Sequence, residues 1–162
     1  MIKNDLKRFR LRDQLSADFL KAFSLIEKTL LAFMLIALVF IFLEKIGLIG
    51  AFFVGGVIGG SIGFLAITAK KMYYDEAFSE LTIRTNIKQD ILKSAMFAIG
   101  YSEKEYGVYS PKKKMFSAFF YCKSEIITHK TQGECCIFTG PYNKLLKISN
   151  TIPRGSPTEH HI

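Results

Sequence analysis

Hydrophobic positions are concentrated in two runs that a single charged pair separates. An uncharged run of 15 residues covers Thr29–Leu43, and a second run of 24 residues covers Ile46–Ala69. Glu44 and Lys45 lie between them. A helix needs about 20 apolar residues to cross the hydrocarbon layer. The pattern predicts two transmembrane helices joined by a tight turn, the first starting before the run, near Phe23. A hairpin lying flat on the membrane is disfavoured, because neither run has a polar face.

The residues before the first run predict an amphipathic helix that starts near Asp13 and continues into the first span. Its apolar positions recur at spacings of three and four, which is the period of one helix face. Such a helix anchors the hairpin at the membrane surface or docks a partner or the cytosolic part. The positions on this face are Leu11, Leu15, Phe19, Ala22, Phe23 and Ile26.

Helical periodicity is expected to continue past the second run. The apolar stripe extends through Leu81, and β-branched residues predict a hinge near residues 82–86. A second helix follows, with an apolar face between Ile87 and Ile99. Asn86 provides a capping signal at its start, and Gly100 can end it in the left-handed conformation.

The composition then changes to turn residues, aromatic residues and β-branched residues, which are typical of strands and loops. Tyr101–Pro111 is predicted to be a loop. Strands are predicted over Met115–Cys122, Glu125–His129, Cys135–Thr139 and Leu145–Ile148, of which the second and third form a hairpin.

The predicted fold class is a membrane α-helical hairpin of two transmembrane helices plus a small cytosolic α+β domain with an antiparallel sheet. The division along the chain is an amphipathic N-terminal arm at 1–28, the transmembrane hairpin at 29–69, the cytosolic domain at 70–150 and a flexible tail at 151–162. Apolar residues make up 49% of the chain. This content and its clustering exclude a disordered chain, a disulfide scaffold and a coiled coil.

The charge pattern predicts the orientation in the membrane. Of the 22 Lys and Arg residues, seven lie in residues 1–28, one lies in the turn and fourteen lie in residues 70–162. Basic residues that flank spans stay in the cytosol. Both termini are therefore expected to be cytosolic in a bacterial inner membrane, without a cleaved signal peptide and with reduced cysteines. The net charge of +8 has no accompanying nucleic-acid motif, so nucleic acid is not an expected partner. Lipid headgroups are the expected contacts of Lys70 and Lys71. Lys112, Lys113 and Lys114 either contact anionic headgroups as well or form a solvated turn.

A glycine stripe in the second run predicts close helix packing. Glycines four residues apart form a groove in which another backbone can approach closely. The partner is either the first span of the same chain or the same groove in a second copy. Polar side chains in the two runs are too few to line a pore. The stripe consists of Gly55, Gly56, Gly59, Gly60 and Gly63.

The candidates for chemistry are three cysteines and one histidine. A hairpin turning near residue 133 would bring His129 close to Cys135, which allows a Cys/His pair or a partial metal site. Strand alternation sends Cys136 to the opposite face, so at most one of these two cysteines can join His129, and the favoured interpretation is that the cysteines pack as small apolar residues. The acidic residues at positions 103 and 105 are expected to be solvated. Since phosphate-loop, dinucleotide and metalloprotease motifs are absent from the sequence, no catalytic residue, cofactor or metal is predicted.

Three stretches carry a resemblance to a known family. Ile87–Gly107 resembles its helix and Tyr-rich loop, Phe120–His129 its strand ending in Ser-Glu-Val, and Ile137–Gly140 its Ile/Val-Phe-x-Gly strand. The family is an uncharacterised group of bacterial membrane proteins with two spans and a β-rich cytosolic domain. The resemblance covers roughly residues 25–145. It implies the architecture and no catalytic residues, because the family has no established activity.

Three functional hypotheses follow from these patterns. The first is a non-enzymatic integral inner-membrane protein that presents its cytosolic module to a protein partner or regulates a membrane assembly. The second is an immunity-type or accessory membrane protein that acts through the hairpin. The third is a membrane-bound enzyme that depends on its cysteine thiols. The expected partners are the lipid bilayer and either another protein or a second copy of the chain.

Overall fold

The computed structural model describes residues 5–49, 54–84, 87–133 and 135–152. These stretches contain five α-helices, six strands and two single helical turns. In chain order they are β1 (Asp5–Arg8), α1 (Leu11–Ala17), α2 (Leu20–Lys45), α3 (Val54–Lys70), a π-helical turn (Lys71–Asp75), β2 (Phe78–Ile83), α4 (Gln89–Ala98), β3 (Tyr101–Glu105), β4 (Val108–Pro111), a 3-10 turn (Lys123–Glu125), β5 (Ile127–Gln132), β6 (Cys135–Pro141) and α5 (Tyr142–Thr151).

The two apolar runs of the sequence form a pair of packed helices, α2 and α3. Among the described residues, one helix is long and apolar enough to cross a membrane, namely α2 with its 26 residues. Large apolar side chains on α2 are exposed, for example Leu35 at 64% and Leu38 at 60%. The 17 residues of α3 are also apolar. A second transmembrane helix remains a prediction.

The remaining elements form an antiparallel sheet, as the sequence predicts. Its six strands lie in the order β1-β2-β6-β5-β4-β3, and every neighbouring pair is antiparallel. Helices α4 and α5 cover one face and enclose the apolar core. This core consists of Leu81, Ile83, Leu92, Met96, Tyr101, Tyr109, Ile127, Cys136, Phe138, Leu145 and Ile148.

The strand register fixes which end of the sheet lies next to the helix pair. Strand β2 starts directly after the π-helical turn that follows α3, and its first residue Phe78 pairs with Pro141. Tyr109 pairs with Ile127 at the start of β5, so β4 continues toward this same end and reaches Pro111. We call this end of the sheet, which contains Phe78, Pro111, Ile127 and Pro141, the helix-side end. The β3–β4 turn around Tyr106 lies at the opposite end.

The N-terminal arm differs from its prediction as one continuous amphipathic helix. Residues Asp5–Arg8 form the edge strand β1, which pairs with β2. The helix itself is interrupted between α1 and α2, where Asp18 adopts φ −146° and ψ 83°. The interruption coincides with a long-range contact, since the Asp18 carboxylate accepts two hydrogen bonds from Ser124.

The helical continuation through Leu81, with its hinge at 82–86, is also wrong over the described residues. Helical structure stops at Asp75, and Phe78–Ile83 is strand β2 with alternating burial. The apolar spacing of this segment fits a helix, but pairing with β1 on one side and β6 on the other favours the extended form. The predicted cap at Asn86 lies outside the described residues, as do positions 153–162 of the predicted tail.

The second half of the chain confirms some predicted elements and corrects others. The hairpin β5–β6 and helix α4 are confirmed, and Gly100 follows α4 with φ +82°. Tyr101–Pro111 is the hairpin β3–β4 and not a loop. Met115–Cys122, which the structure describes in full, has no strand. Leu145–Ile148 belongs to helix α5, because Leu145 and Ile148 lie one helical turn apart and both are buried against the sheet.

Candidate functional site

A cluster of buried polar side chains lies where the first turns of α2 meet the sheet. The chain between β4 and β5, residues 112–126, covers this cluster, and we call it the covering loop. Residues far apart in the sequence therefore come together. We call the cluster the junction. It consists of Asp18, Lys21, Ser24, Glu76, Cys122, Ser124 and Glu125, each at most 9% exposed.

Lys21 is the central residue of the junction, and its exposed fraction is 0%. The ammonium Nζ donates to the backbone carbonyl of Glu76 at 3.0 Å and lies 4.4 Å from the ring centroid of Phe116. Burial lowers the pKa of Lys21 to about 8, and the nearby carboxylates of Asp18 and Glu76 offset part of this effect. A charge that is fully removed from water needs such partners, because desolvation alone costs several kcal/mol. Lys21 thus ties α2 to the segment that enters β2.

Two further contacts connect α2 to the covering loop. Asp18 Oδ2 accepts from the backbone N–H of Ser124 at 2.8 Å and from its hydroxyl at 2.7 Å. Ser24 Oγ lies 3.2 Å from Cys122 Sγ. Burial raises the pKa of the Cys122 thiol, so the thiol is protonated at neutral pH. A buried, protonated thiol is a poor nucleophile.

Glu125 connects the covering loop to the sheet. One carboxylate oxygen accepts from the backbone N–H of Phe116 at 2.7 Å, and the Glu125 carbonyl accepts from the Tyr101 hydroxyl at 2.8 Å. Burial raises the pKa of Glu125 above its ordinary value of 4.5, and it also raises the pKa of Tyr101. Both groups therefore favour their neutral forms more than they would in water.

The arrangement supports a mechanical role for the junction more directly than a chemical one. Its polar groups bond to one another and to the backbone, and each is almost fully enclosed. Within the described stretches, no group of three or more His, Cys, Asp or Glu residues could hold a metal ion. A network of this kind fixes the geometry between the parts it joins.

The expected proximity of His129 and Cys135 is wrong. Cys135 pairs with Gln132, whereas His129 pairs with Phe138, and its ring stacks on that phenyl ring at 4.9 Å between centroids. His129 lies three residues before Gln132, the partner of Cys135, so it is farther from the turn than Cys135 and the two side chains do not meet. Cys122 lies in the junction, away from both.

His129 instead borders a cleft of about 100 Å³ near the β3–β4 turn, toward the end of the sheet opposite α2 and α3. Glu103 and Tyr109 also line it. The buried His129 Nε2 has no hydrogen-bond partner within the part of the chain that the structure describes. Burial lowers the pKa of this imidazole below 6.5, which favours the neutral form. Glu103 forms an ion pair with Lys93 at 3.2 Å.

The glycine stripe of α3 has two different environments. A Cβ atom at Gly60 would lie 3.5 Å from Ile36 Cδ1 of α2, an ordinary packing distance. At Gly59 and Gly63 no other described residue places an atom within 4 Å of the same position. Gly55 is exposed and Gly56 is half-buried. The proposed packing role of the stripe remains a prediction.

The five predicted headgroup lysines all have exposed side chains. Lys70 ends α3 and Lys71 follows it. Lys112 and Lys114 lie over the rings of Phe97 and Tyr121, at 3.8 and 4.1 Å from the ring centroids. Together with Lys113, they follow β4 at the helix-side end of the sheet. Their contact with lipid remains a prediction.

No protein-family model matches the chain, and neither a curated protein nor a solved structure matches it. The resemblance stated above therefore stays a prediction, and function must be argued from the structure. The sequence did not predict the junction. Lys21 follows Asp18 by three positions on the polar side of the predicted amphipathic helix, so the local pattern gave no signal that it is buried.

Proposed function

We propose that this chain is a non-enzymatic integral protein of a bacterial inner membrane, with both termini in the cytosol. It holds a small α+β module at the membrane, where the module binds a protein partner or regulates a membrane assembly. The observation that carries the proposal is a long helix whose apolar side chains are exposed and whose first turns are fixed to a folded sheet by buried polar contacts.

Helix α2 supports the membrane location. Its exposed leucines and phenylalanines would face water in a soluble protein, and apolar patches of this extent mark contact with lipid or protein. Strand β1 precedes α2, strand β2 follows α3, and the two strands pair. This pairing supports a two-pass topology, because both flanks of the helix pair must lie on one side.

The sheet supports a binding role. Helices α4 and α5 cover one face. Alternate positions of β2 and β6 on the other face are half-buried, among them Glu80, Thr82, Ile137 and Thr139. A mixed polar and apolar surface on rigid strands is suited to a protein partner. The enclosed Cys122 thiol supports a non-enzymatic role.

Membrane extraction tests the location. The full chain is expected to stay with membranes through an alkaline carbonate wash and to require detergent for release. Leu35→Lys together with Leu38→Lys is expected to release it, since each lysine costs about 2.5–3.5 kcal/mol near the centre of a span. Leu48→Lys, in the turn after α2, is the control and should have no effect. A chain that is monodisperse in detergent-free buffer would refute the proposal.

Photo-crosslinking tests the partner. A photoreactive residue at Glu80 is expected to give one discrete adduct in intact membranes, and Thr139→Lys on the same face should abolish it. A matched probe at Tyr106, in the β3–β4 turn, should give none. If neither an adduct nor self-association is found, the binding role is wrong while the membrane location stands.

The second candidate is an accessory or immunity-type protein that acts through the helix pair. The open positions at Gly59 and Gly63 favour it, because another helix could approach there. Gly63→Leu should abolish such a function and leave the sheet intact. Deleting the residues after α4 cannot discriminate the two candidates, since β6 is the strand between β2 and β5 and its loss dismantles the sheet.

A further inference from the structure

A cluster of exposed aromatic side chains surrounds the beginning of α2. It combines residues from the start of the helix with residues of the covering loop. The Phe23 ring centroid lies 5.1 Å from that of Phe19 and 6.3 Å from that of Phe120. We call this cluster the aromatic collar. Its members and their exposed fractions are Phe19 at 66%, Phe23 at 44%, Phe119 at 73%, Phe120 at 37% and Tyr121 at 73%.

The loop that carries three of these aromatic residues is held in place. The Ala118 N–H donates to Glu27 Oε1 at 3.1 Å, and the Ser117 hydroxyl donates to the other oxygen of the same carboxylate. The N–H groups of Phe119 and Phe120 both donate to Ser117 Oγ, at 2.9 and 2.7 Å. The backbone is therefore ordered by α2 while the aromatic rings point outward. A loop built in this way presents its rings to something other than water.

The position of the collar points to the membrane boundary. Phe23 precedes the uncharged run that starts at Thr29 by six residues, which is about 9 Å along a helix. Between them, Ile26 is exposed at 55%, so the apolar surface of α2 continues from the collar into the predicted span. Aromatic residues are enriched at the depth of the lipid headgroups, where apolar rings and water meet.

Basic residues lie directly beside the collar. Lys114 Nζ lies 4.1 Å from the ring centroid of Tyr121 and donates to the carbonyl of Ala118 at 3.1 Å. Lys112 and Lys113 are exposed at the same end of the sheet, and Lys112 lies over the exposed ring of Phe97. Aromatic rings flanked by lysines fit a bilayer that contains anionic headgroups.

We propose that the aromatic collar and Lys112–Lys114 form a second membrane contact, in which the loop at 117–121 enters the headgroup region of an anionic bilayer. The contact fixes the helix-side end of the sheet against the membrane surface. The proposal rests on the proposed function, because it requires α2 to lie in the bilayer.

The sequence contains no tryptophan, so a single substitution creates a unique fluorescent reporter. The full chain is reconstituted into vesicles of phosphatidylcholine and phosphatidylglycerol whose acyl chains carry bromine as a quencher. Phe119→Trp is expected to emit at shorter wavelength than in water and to be quenched to at least about half the extent of Phe33→Trp, a reporter in the predicted span. Tyr106→Trp, 85% exposed at the opposite end of the sheet, should not be quenched.

Each outcome supports or overturns one of the two proposals. Quenching at position 33 without quenching at 119 refutes the membrane contact of the collar and leaves the anchor intact. Absence of quenching at both positions refutes the anchor as well. Equal quenching at 106 and 119 refutes a specific contact.

A charge variant distinguishes the anionic headgroup from lipid in general. In the Phe119→Trp chain, replacing the three lysines at 112–114 with glutamine is expected to remove most of the difference in quenching between vesicles with and without phosphatidylglycerol. The matched control replaces Lys88, Lys104 and Lys130, three exposed lysines away from the collar, and should preserve that difference. If the two triple variants behave alike, the lysines at 112–114 have no specific role.

Discussion

Replacing Lys21 with methionine should open the junction. Methionine keeps the apolar stem and nearly the volume of lysine, so the change removes the charge without creating a large cavity. Removing one partner of a buried charged cluster costs about 3–5 kcal/mol, whereas exposed ion pairs contribute about 0–1 kcal/mol. The cost for a buried charge applies here, because Lys21 is 0% exposed and its ammonium donates to the backbone carbonyl of Glu76 at 3.0 Å.

The thiol of Cys122 reports the opening. This side chain is 3% exposed, so a maleimide reaches it only when the loop separates from α2. In a chain that also carries Cys135→Ser and Cys136→Ala, a loss of about 3 kcal/mol accelerates labelling roughly 150-fold, since each 1.4 kcal/mol is a factor of ten. Loss of the nearby ammonium raises the pKa of the thiol, which by itself would slow the reaction. Acceleration therefore comes from opening.

Lys45→Met is the matched control, because it makes the same substitution at the exposed end of the same helix. It should leave the labelling rate within about twofold of the parent chain. Asp18→Asn added to Lys21→Met should recover part of the loss, since it removes an unpaired negative charge. A Lys21→Met chain that labels no faster than the parent would show that the junction is not held by this charge.

Three further predictions concern the sheet. Gly133→Ala should lower the free energy of unfolding by about 1 kcal/mol, because this position has a positive φ of +62°. Gly107→Ala should cost roughly 1–3 kcal/mol more, since its Cβ would lie 2.7 Å from the His129 carbonyl oxygen. Thermal circular dichroism in detergent should rank the two variants, and equal losses would contradict the clash. Gly140→Ala should destabilise without any φ strain, because its Cβ would lie 2.8 Å from an isoleucine Cγ1 of β5, and an unchanged melting temperature would show that this contact relaxes. Because burial lowers the pKa of His129, the unfolded chain takes up a proton near pH 6.5 before the folded chain does, so stability should fall as the pH drops below 6.5. The raised pKa of Glu125 acts in the opposite direction, so the comparison of the parent with His129→Gln isolates the effect of the histidine. Parallel pH profiles of the two chains would count against its role.

Several elements could be predicted because their signals are local. The helix α2 follows from a long uncharged apolar run, because a helix satisfies every backbone hydrogen bond within such a segment. The hairpin β5–β6 follows from two β-rich stretches around Gly133, which adopts φ +62°. Helix α4 follows from its apolar period, with Leu92, Ala95 and Met96 buried on one face.

Other elements depend on contacts that sequence periodicity cannot show. Strand β1 has one apolar residue in four, Leu6, and is extended because it pairs with β2. The four-residue stretch that ends at Ile148 is too short to separate a strand period from a helical one. The same limit applies to Phe78–Ile83, where two neighbouring strands decide the conformation.

The junction was beyond prediction for a related reason. The sequence shows a lysine on the polar side of an arm, and the natural expectation is that water solvates it. What buries Lys21 includes Phe116, which follows it by almost one hundred positions, and the residues around Glu76. Nothing in the local pattern indicates that a distant loop returns to cover this turn.

The pairing of β1 with β2 has a consequence for how the protein is made. Asp5 leaves the ribosome early, yet its partner Thr82 appears only after both helices have been synthesised. The first strand must therefore wait, unpaired, while the helices find their environment. Under the proposed two-pass topology, β1 can pair with β2 only when both ends of the helix pair lie on the same side of the membrane. A chain with a misplaced helix would therefore keep this edge of β2 unpaired.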